Sequence, residues 1–420
     1  VETTEPGSGP AVEEVFRRDS GRVLATLVRF CGDLELAQDA VQDTFLLALQ
    51  RWAADGTPAN PAGWITTTAK RRAVDRVRRD VRRADKEVLV ARLREMPDDP
   101  AGLDDDRLRL IFTCCHPALA LDARVALTLR TVCGLSTVEI AAAFLIPETT
   151  LAQRLVRAKR KIQVAGIAYE VPPPDRLADR LSAVLAAVYL VFNEGYVASA
   201  GATLAREDLC REALRLGQLL SGWMPAEPEV LGLYALMLLN HSRRRTRVDG
   251  DGSMVLLPDQ NRRRWDRAEI DAGLALLRRG AQAGSVGQYW LQAAIVAEHA
   301  RARTAAATDW EQICRLYASL VALTRSPVVA LNQAIAESIA HGPAAGLRLL
   351  EPLRARLHDY PYFHSAAADM HRRLGNRSEA ASAYRRALQL TPNDSQRTAL
   401  TARLDAIATP RPGGAASDAG

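Results

Sequence analysis

Aromatic residues are sparse in this chain, 5% of 420, and it holds only 5 methionines and 7 histidines. Uninterrupted apolar runs of about 20 residues, the length a membrane-spanning helix needs, do not occur. The opening residues Val1 to Gly9 (VETTEPGSG) carry neither a basic n-region nor an apolar h-region. A cytoplasmic protein with no membrane partner is the expectation. The six cysteines, Cys31, Cys114, Cys115, Cys133, Cys210 and Cys314, form no CxxC pair and no dense framework, so they read as reduced thiols. Cys114, Cys115 and His116 are adjacent, but neighbouring helical residues point in different directions, and no second ligand pair sits at chelating spacing. Buried small hydrophobes are the reading for these cysteines. No Gly-rich phosphate loop and no nucleophile with a base is visible. Glu194, in FNEGY, and Asp266, in DQNRRRWDR, tempt as an acid pair, yet packing and capping explain them without further partners. No catalytic residue, cofactor or metal site is therefore expected, and the chain does not read as an enzyme.

What the sequence has in quantity is Ala, Leu and Arg, with 48% apolar and 25% charged residues. Such a composition favours helices throughout and gives an all-α fold class. At 420 residues several compact units are expected. A net charge of +6 is mild, but its distribution is uneven. Between Trp64 and Arg94 the basic residues Lys70, Arg71, Arg72, Arg76, Arg78, Arg79, Arg82, Arg83, Lys86, Arg92 and Arg94 face only Asp75, Asp80, Asp85 and Glu87. The stripe gives way to an acidic stretch, EMPDDPAGLDDD, that reads as a linker over 95–106. A second basic cluster, Arg154, Arg157, Lys159, Arg160 and Lys161, precedes VPPPD, whose three prolines act as a stiff spacer near 170.

These boundaries divide the chain into 10–94, 107–168 and 175–405, with a disordered tail at 409–420. In the first segment Ala37, Val41, Thr44, Phe45, Ala48, Leu49 and Trp52 repeat at helical spacing behind Asp33 as N-cap. Pro61 opens a further helix with Trp64, Ile65, Thr68, Val74 and Val77 inward and arginines outward. In the second, Ser136 and Glu139 form a capping box ahead of Ile140, Ala141 and Phe144. A turn through Pro147 leads to ETTLAQRLVRAKRKI, with Leu151, Leu155, Ala158 and Ile162 inward and Gln153, Arg154, Arg157 and Lys161 outward. Two short helices, a tight turn and a basic second helix make a helix-turn-helix. The third segment is mostly helical; LGNRSEAASAYRRALQLTPND matches half a tetratricopeptide repeat through Gly375, Ala380, Tyr384, Ala387 and Pro392. RVDGDGSMVLLPD, with its Asp-Gly pairs, suggests a lone hairpin or ordered loop.

On these residues the chain resembles the extracytoplasmic-function sigma factors, specifically those with a long C-terminal extension. GDLELAQDAVQDTFLLALQRW and NPAGWITTTAKRRAVDRVRR look like the family's second sigma domain, and ALTLRTVCGLSTVEIAAAFLIPETTLAQRLVRAKRKI looks like its fourth. The resemblance implies two small helical sigma domains followed by a larger TPR-like helical domain, with core RNA polymerase (β and β′) and promoter DNA as partners. It implies that DAVQDTF docks on the β′ clamp helices through Asp39, Gln42, Asp43 and Phe45. Lys70, Arg71, Arg72, Arg76, Arg78 and Arg79 would face the minus-ten element, where opened strands expose bases and phosphates. This chain has Arg71 where family members commonly carry Asn, a departure at a position tied to base preference. Thr150, Gln153, Arg154, Arg157 and Lys161 would meet the minus-thirty-five element. Asp98, Asp99, Asp104, Asp105 and Asp106 would mimic an RNA backbone in a polymerase channel, or serve as a solvated spacer. For the C-terminal segment a protein or peptide partner is expected, because helical repeats present concave grooves. A helix-turn-helix activator with a sensor domain is the alternative function, and the DAVQDTF block argues against it, since an activator needs no clamp-binding helix. A hydrolase hidden in the extension ranks last, for want of a constellation.

Overall fold

A computed structural model describes residues 8–80, 83–96, 104–144, 146–196, 207–247, 249, 255–391 and 394–408, and these are helical with no strand among them. Asp98 and Asp99, the tip of the Asp-Gly loop, Pro392 and the tail from Thr409 lie outside the described residues. The chain divides into two units, Val1–Ser199 with Ala205–Leu216, and Ala200–Leu204 with Gly217–Gly420.

The first unit contains α1 (Ser8–Cys31), α2 (Leu34–Asp55), α3 (Pro61–Asp80), α4 (Arg83–Glu95), α5 (Asp104–Cys114), α6 (Leu121–Thr131), α7 (Thr137–Ala143), α8 (Glu148–Val164), α9 (Pro174–Tyr196) and the start of α10 (Glu207–Trp223). Local chemistry sets the helix starts. The Asp33 carboxylate accepts the Glu35 and Leu36 amides, at 2.8 and 3.1 Å, to start α2. Asn60 accepts the Gly63 amide at 2.9 Å ahead of α3. The inner row of α3 is Ile65, Thr66, Ala69, Ala73 and Val77; Trp64 lies to its side, half-buried and edge-on to Trp52 at 5.5 Å. Thr68 and Val74, expected inward, are only half-buried, because the true inward row lies about one residue round the helix.

Helix α1 packs on α2, α3 and α4, and on α5 and α6 as well, so the two N-terminal helical groups share one core. Close approach requires glycine here: a Cβ on Gly21 would lie 2.4 Å from the Val132 carbonyl oxygen. Gly134, at φ +73, has its open side filled by Ser20. The Tyr169 hydroxyl lies 2.7 Å from the carbonyl oxygens of both Ala25 and Asp106, tying α1 to α5. Helix α5 begins at Asp104, inside the stretch expected to be linker, and Asp106 is not a free acidic residue. Its side chain is fully buried, 2.9 Å from Arg109 and 3.5 Å from Arg29. Burial pushes its carboxyl up while the two guanidiniums pull it back. The proline spacer does not detach α9 and α10 from the helices before it: Arg180 of α9 donates to the Phe112 carbonyl at 2.9 Å, and Arg215 of α10 to that of Val132 at 3.2 Å.

The second unit runs through α11 (Pro228–His241), α12 (Arg267–Ala283), α13 (Gln288–Arg301), α14 (Trp310–Thr324), α15 (Pro327–Ala340), α16 (Pro343–Leu350), α17 (Pro361–Arg373), α18 (Arg377–Leu390) and α19 (Asp394–Ala408). Most of these helices pack chiefly on their sequence neighbours, the pattern of stacked helical hairpins, while α13 packs most closely on α11, two helices back. Glu229 of α11 takes the Gly287, Tyr289 and Trp290 amides at 3.0–3.1 Å and so satisfies the start of α13. The tetratricopeptide-like residues serve one hairpin: Gly375 turns the chain at φ +83, and Ala380, Tyr384 and Ala387 are fully buried in α18. Of the Asp-Gly loop the described part shows one closing bond, Val255 N–H to the Arg247 carbonyl at 2.8 Å.

The DQNRRRWDR stretch is structural. Arg262 donates to the carbonyls of His299 and Ala302 at the end of α13 and lies 4.9 Å over Trp265. Asp266 caps α12 by accepting the Glu269 amide and pairs with Arg244 at 3.2 Å. Burial, with Arg243 and Arg262 nearby, pushes the His299 imidazole down to about 4. An unfolded histidine takes its proton near pH 6.5, so the unfolded chain binds more protons between those values. The stability due to neutral His299 is complete above about pH 6.5 and is lost as pH falls toward 4, about 3 kcal/mol in all. Urea unfolding of the full chain at pH 7 and 4.5 should therefore show a larger acid loss for wild type than for His299→Gln. Equal losses would remove His299 as the cause.

Candidate nucleic-acid and polymerase interface

On α2, Asp39, Gln42 and Asp43 occupy positions i, i+3 and i+4 and share one outward stripe. Gln42 is exposed, and the Asp39 and Asp43 side chains are 42% and 47% exposed. Arg76 reaches from α3 to both carboxylates, at 3.0 and 3.1 Å. The resemblance groups it with the minus-ten residues, but its guanidinium points at the α2 acids. Such a two-carboxylate clamp fixes their rotamers at little entropy cost.

Phe45, expected at the polymerase contact, is turned inward: it is 5% exposed and edge-on to Phe16 at 4.7 Å. The apolar part of the outer stripe comes from Leu46 and Leu49, 53% and 44% exposed. Sequence reasoning passes over Leu46 and places Leu49 inside. The signal for both is their spacing of i+4 and i+7 from Gln42. A cavity of about 170 Å³ beside this stripe is lined by Gln42, Phe45, Leu46 and Leu49 with Arg130 and Thr131 of α6.

Of the basic residues on α3, Arg71, Arg72, Arg78 and Arg79 are exposed. Lys70 is half-buried and donates to the Met96 carbonyl beyond α4, so it serves packing of that helix end. The remaining four arginines form an outward basic surface that also exposes Asp75.

The helix-turn-helix follows its expected caps. The Ser136 hydroxyl accepts the Glu139 amide at 3.1 Å, and the Glu139 carboxylate accepts the Ser136 amide at 2.7 Å. Leu151, Leu155, Ala158 and Ile162 are buried. Thr150, Gln153, Arg157 and Lys161 are exposed along one face of α8. Arg154 is half-buried and held by Asp122 of α6 at 3.1 Å, so it enters the surface pre-positioned. These five residues border a shallow concavity of about 410 Å³ with Leu119 and Asp122. Lys159, on another side of α8, donates to the Gln38 side-chain oxygen of α2 at 3.0 Å. The basic helix α8 thus touches the helix that carries the acidic stripe.

Cys114 and Cys115 bond to the hydroxyls of Thr131 and Thr128 at 3.1 and 3.2 Å. Burial pushes the Cys115 thiol up to about 11, so it stays protonated. His116 Nδ1 accepts the Ala118 amide at 3.1 Å. Threonine partners and a backbone bond account for the triplet without a metal.

Comparison with known proteins matches residues 15–83 to sigma-70 region 2 and residues 109–162 to sigma-70 region 4. Residues 180–281 match a family of unknown function, DUF6596. The chain is similar to an uncharacterized protein of Rhizobium meliloti (strain 1021), 43% identical over 395 residues that cover 92% of this chain and 93% of that one. It is also similar to the RNA polymerase sigma-H factor of Pseudomonas aeruginosa, 29% identical over 178 residues, which cover 39% of this chain and 91% of that protein.

Proposed function

Since the chain belongs to the sigma-70 family, as a sigma factor of the extracytoplasmic-function kind with a long C-terminal extension, we propose that it directs core polymerase to a specific promoter set under control of that extension. The observation that carries the reading is the division of the surface by helix. An acid-and-leucine stripe on α2 suits a protein partner, and outward basic rows on α3 and α8 suit nucleic acid. No covalent chemistry is required of such a subunit; it acts in the cytoplasm by binding energy alone. Asp39, Gln42, Asp43, Leu46 and Leu49 hold the clamp helices of β′, with Arg76 as the positioning residue. Arg71, Arg72, Arg78 and Arg79 follow the opened strand at minus ten. The exposed row of α8 enters the major groove at minus thirty-five.

The experiment that tests the reading is transcription in vitro with core polymerase and this protein on a genomic promoter library. Promoter-specific initiation that depends on the protein supports it, and its absence overturns it.

Arg157→Ala should relax discrimination at the upstream element by about 1–3 kcal/mol for a contacted base pair. Arg154→Ala should act likewise, with helical content unchanged in both. A base reader changes which upstream sequences are used, whereas a phosphate contact mainly lowers the salt slope. Unchanged promoter use and unchanged affinity at every salt concentration would remove α8 from DNA reading.

A further inference from the structure

Within the second unit, α14 and α15 form a helical pair joined by a tight turn whose Arg325 is left-handed at φ 51. Glu311 and Cys314 are one turn apart on α14; Glu337 and His341 are one turn apart on α15 and its C-cap. The i, i+3 and i, i+4 spacings place each pair on one helix face. Together they bring one thiol, one imidazole and a carboxylate to a point: the donor atoms of Cys314, Glu337 and His341 all lie within 4.8 Å of one another. The His341 ring is oriented from both sides, with Nδ1 2.7 Å from Glu337 and Nε2 3.1 Å from Glu311.

We propose that Cys314, Glu337 and His341 bind a divalent transition-metal ion of the zinc class, with Glu311 as the positioning residue that holds the second ring nitrogen of His341. The donor set selects the metal. Thiolate and imidazole suit Zn²⁺, whereas Ca²⁺ and Mg²⁺ take oxygen ligands. Bonds of about 2.0–2.3 Å hold tetrahedral ligands roughly 3.3–3.8 Å apart, so the ion enters between His341 Nδ1 and the Glu337 carboxylate, now 2.7 Å apart, and parts them as it gathers the Cys314 sulfur. Zn²⁺ replaces the thiol proton, which leaves to solvent, and the fourth position is open to water. A carboxylate on the far ring nitrogen is the usual partner of a metal-bound histidine. Access is built in: Cys314 is buried, while His341 is at the exposed end of the cluster. The contrast with Cys114 and Cys115 is chemical, since those thiols bond to threonine hydroxyls and belong to no group of three converging donors among the described residues. Closing the cluster ties α14 to α15, so the ion stabilises the middle of the extension. The inference does not depend on the sigma-factor reading.

The test uses the tag-free full chain and Zn²⁺ alone, by calorimetric titration. Wild type should bind one ion at this site. Cys314→Ser and His341→Ala should each weaken it by at least about a hundredfold, and Glu311→Gln by about ten- to a hundredfold. Substituting Co²⁺ gives a second readout: a thiolate-to-cobalt charge-transfer band in wild type, absent in Cys314→Ser and retained in Cys114→Ser. If Cys314→Ser does not fold, the exposed Glu311→Gln and the wild-type cobalt spectrum decide alone. No stoichiometric binding, no thiolate band, or equal affinity in wild type and the ligand variants would show a hydrogen-bonded packing cluster only and overturn the proposal.

Discussion

Replacing Asp39, Gln42 and Asp43 together by Ala is expected to weaken association with core polymerase at least about a hundredfold, about 2.8 kcal/mol at 1.4 kcal/mol per tenfold. The three side chains project from one stripe of α2 and are substantially exposed, so their loss removes partner contacts and leaves the core of the unit intact. Preorganisation raises their value: the Arg76 guanidinium already fixes Asp39 and Asp43 before any partner arrives. Arg76→Ala separates the two roles open to that residue. As a positioning residue it should cost about tenfold in polymerase affinity and leave promoter selection by the assembled holoenzyme unchanged; as a DNA contact it would do the opposite. Leu46→Asp tests the apolar half of the stripe and should match the triple variant, because it puts a charge into a desolvated contact. Capture of β′ at wild-type levels by the triple variant, with unchanged far-ultraviolet circular dichroism, would sink the assignment of α2.

Features set within one helical turn are legible in the sequence. The Asp33 cap, the Ser136–Glu139 box and the inward row Leu151, Leu155, Ala158 and Ile162 depend on spacings of three and four residues, and the structure has each of them. Placement to within one residue is harder. Phe45 and Leu46 are adjacent and differ by about 100° round the helix, and the larger aromatic draws the assignment although it is the leucine that is exposed. Cross-helix pairings are not legible at all. Nothing in the run of arginines marks Arg76 as the one facing two α2 carboxylates, or Asp106 as the acid that goes inside. Gly21 carries no motif, yet the approach of α1 to the end of α6 needs its missing Cβ. Cys314 and His341 are separated by a whole helical hairpin, so no chelating spacing could announce them.

Truncation is expected to have the largest effect, and its outcome depends on where the cut is made. A cut after Ile167 respects the sequence spacer but runs through a core. Leu181, Val184, Leu185, Val188, Val191 and Phe192 of α9 are all buried, and α9 packs on α5 and α6. At about 1.5–3 kcal/mol for each large apolar side chain, removing that face takes away as much as the whole stability of a typical domain, about 5–15 kcal/mol. Residues 1–167 should therefore be poorly folded and transcriptionally silent for reasons unrelated to regulation. A cut after Trp223 retains α9 and the whole of α10, with the Arg180 and Arg215 bonds to α5 and α6, and removes most of the second unit. This shorter protein should keep its helical content and its binding to core polymerase. It should nevertheless initiate less transcription than the full chain, because an extension of this size with no visible signal for release is more simply a required partner surface than a permanent brake. Promoter-specific transcription by residues 1–223 beside the full chain reads the result. Increased activity would make the extension an inhibitor, and equal activity with equal stability would leave the region after Trp223 without a regulatory role.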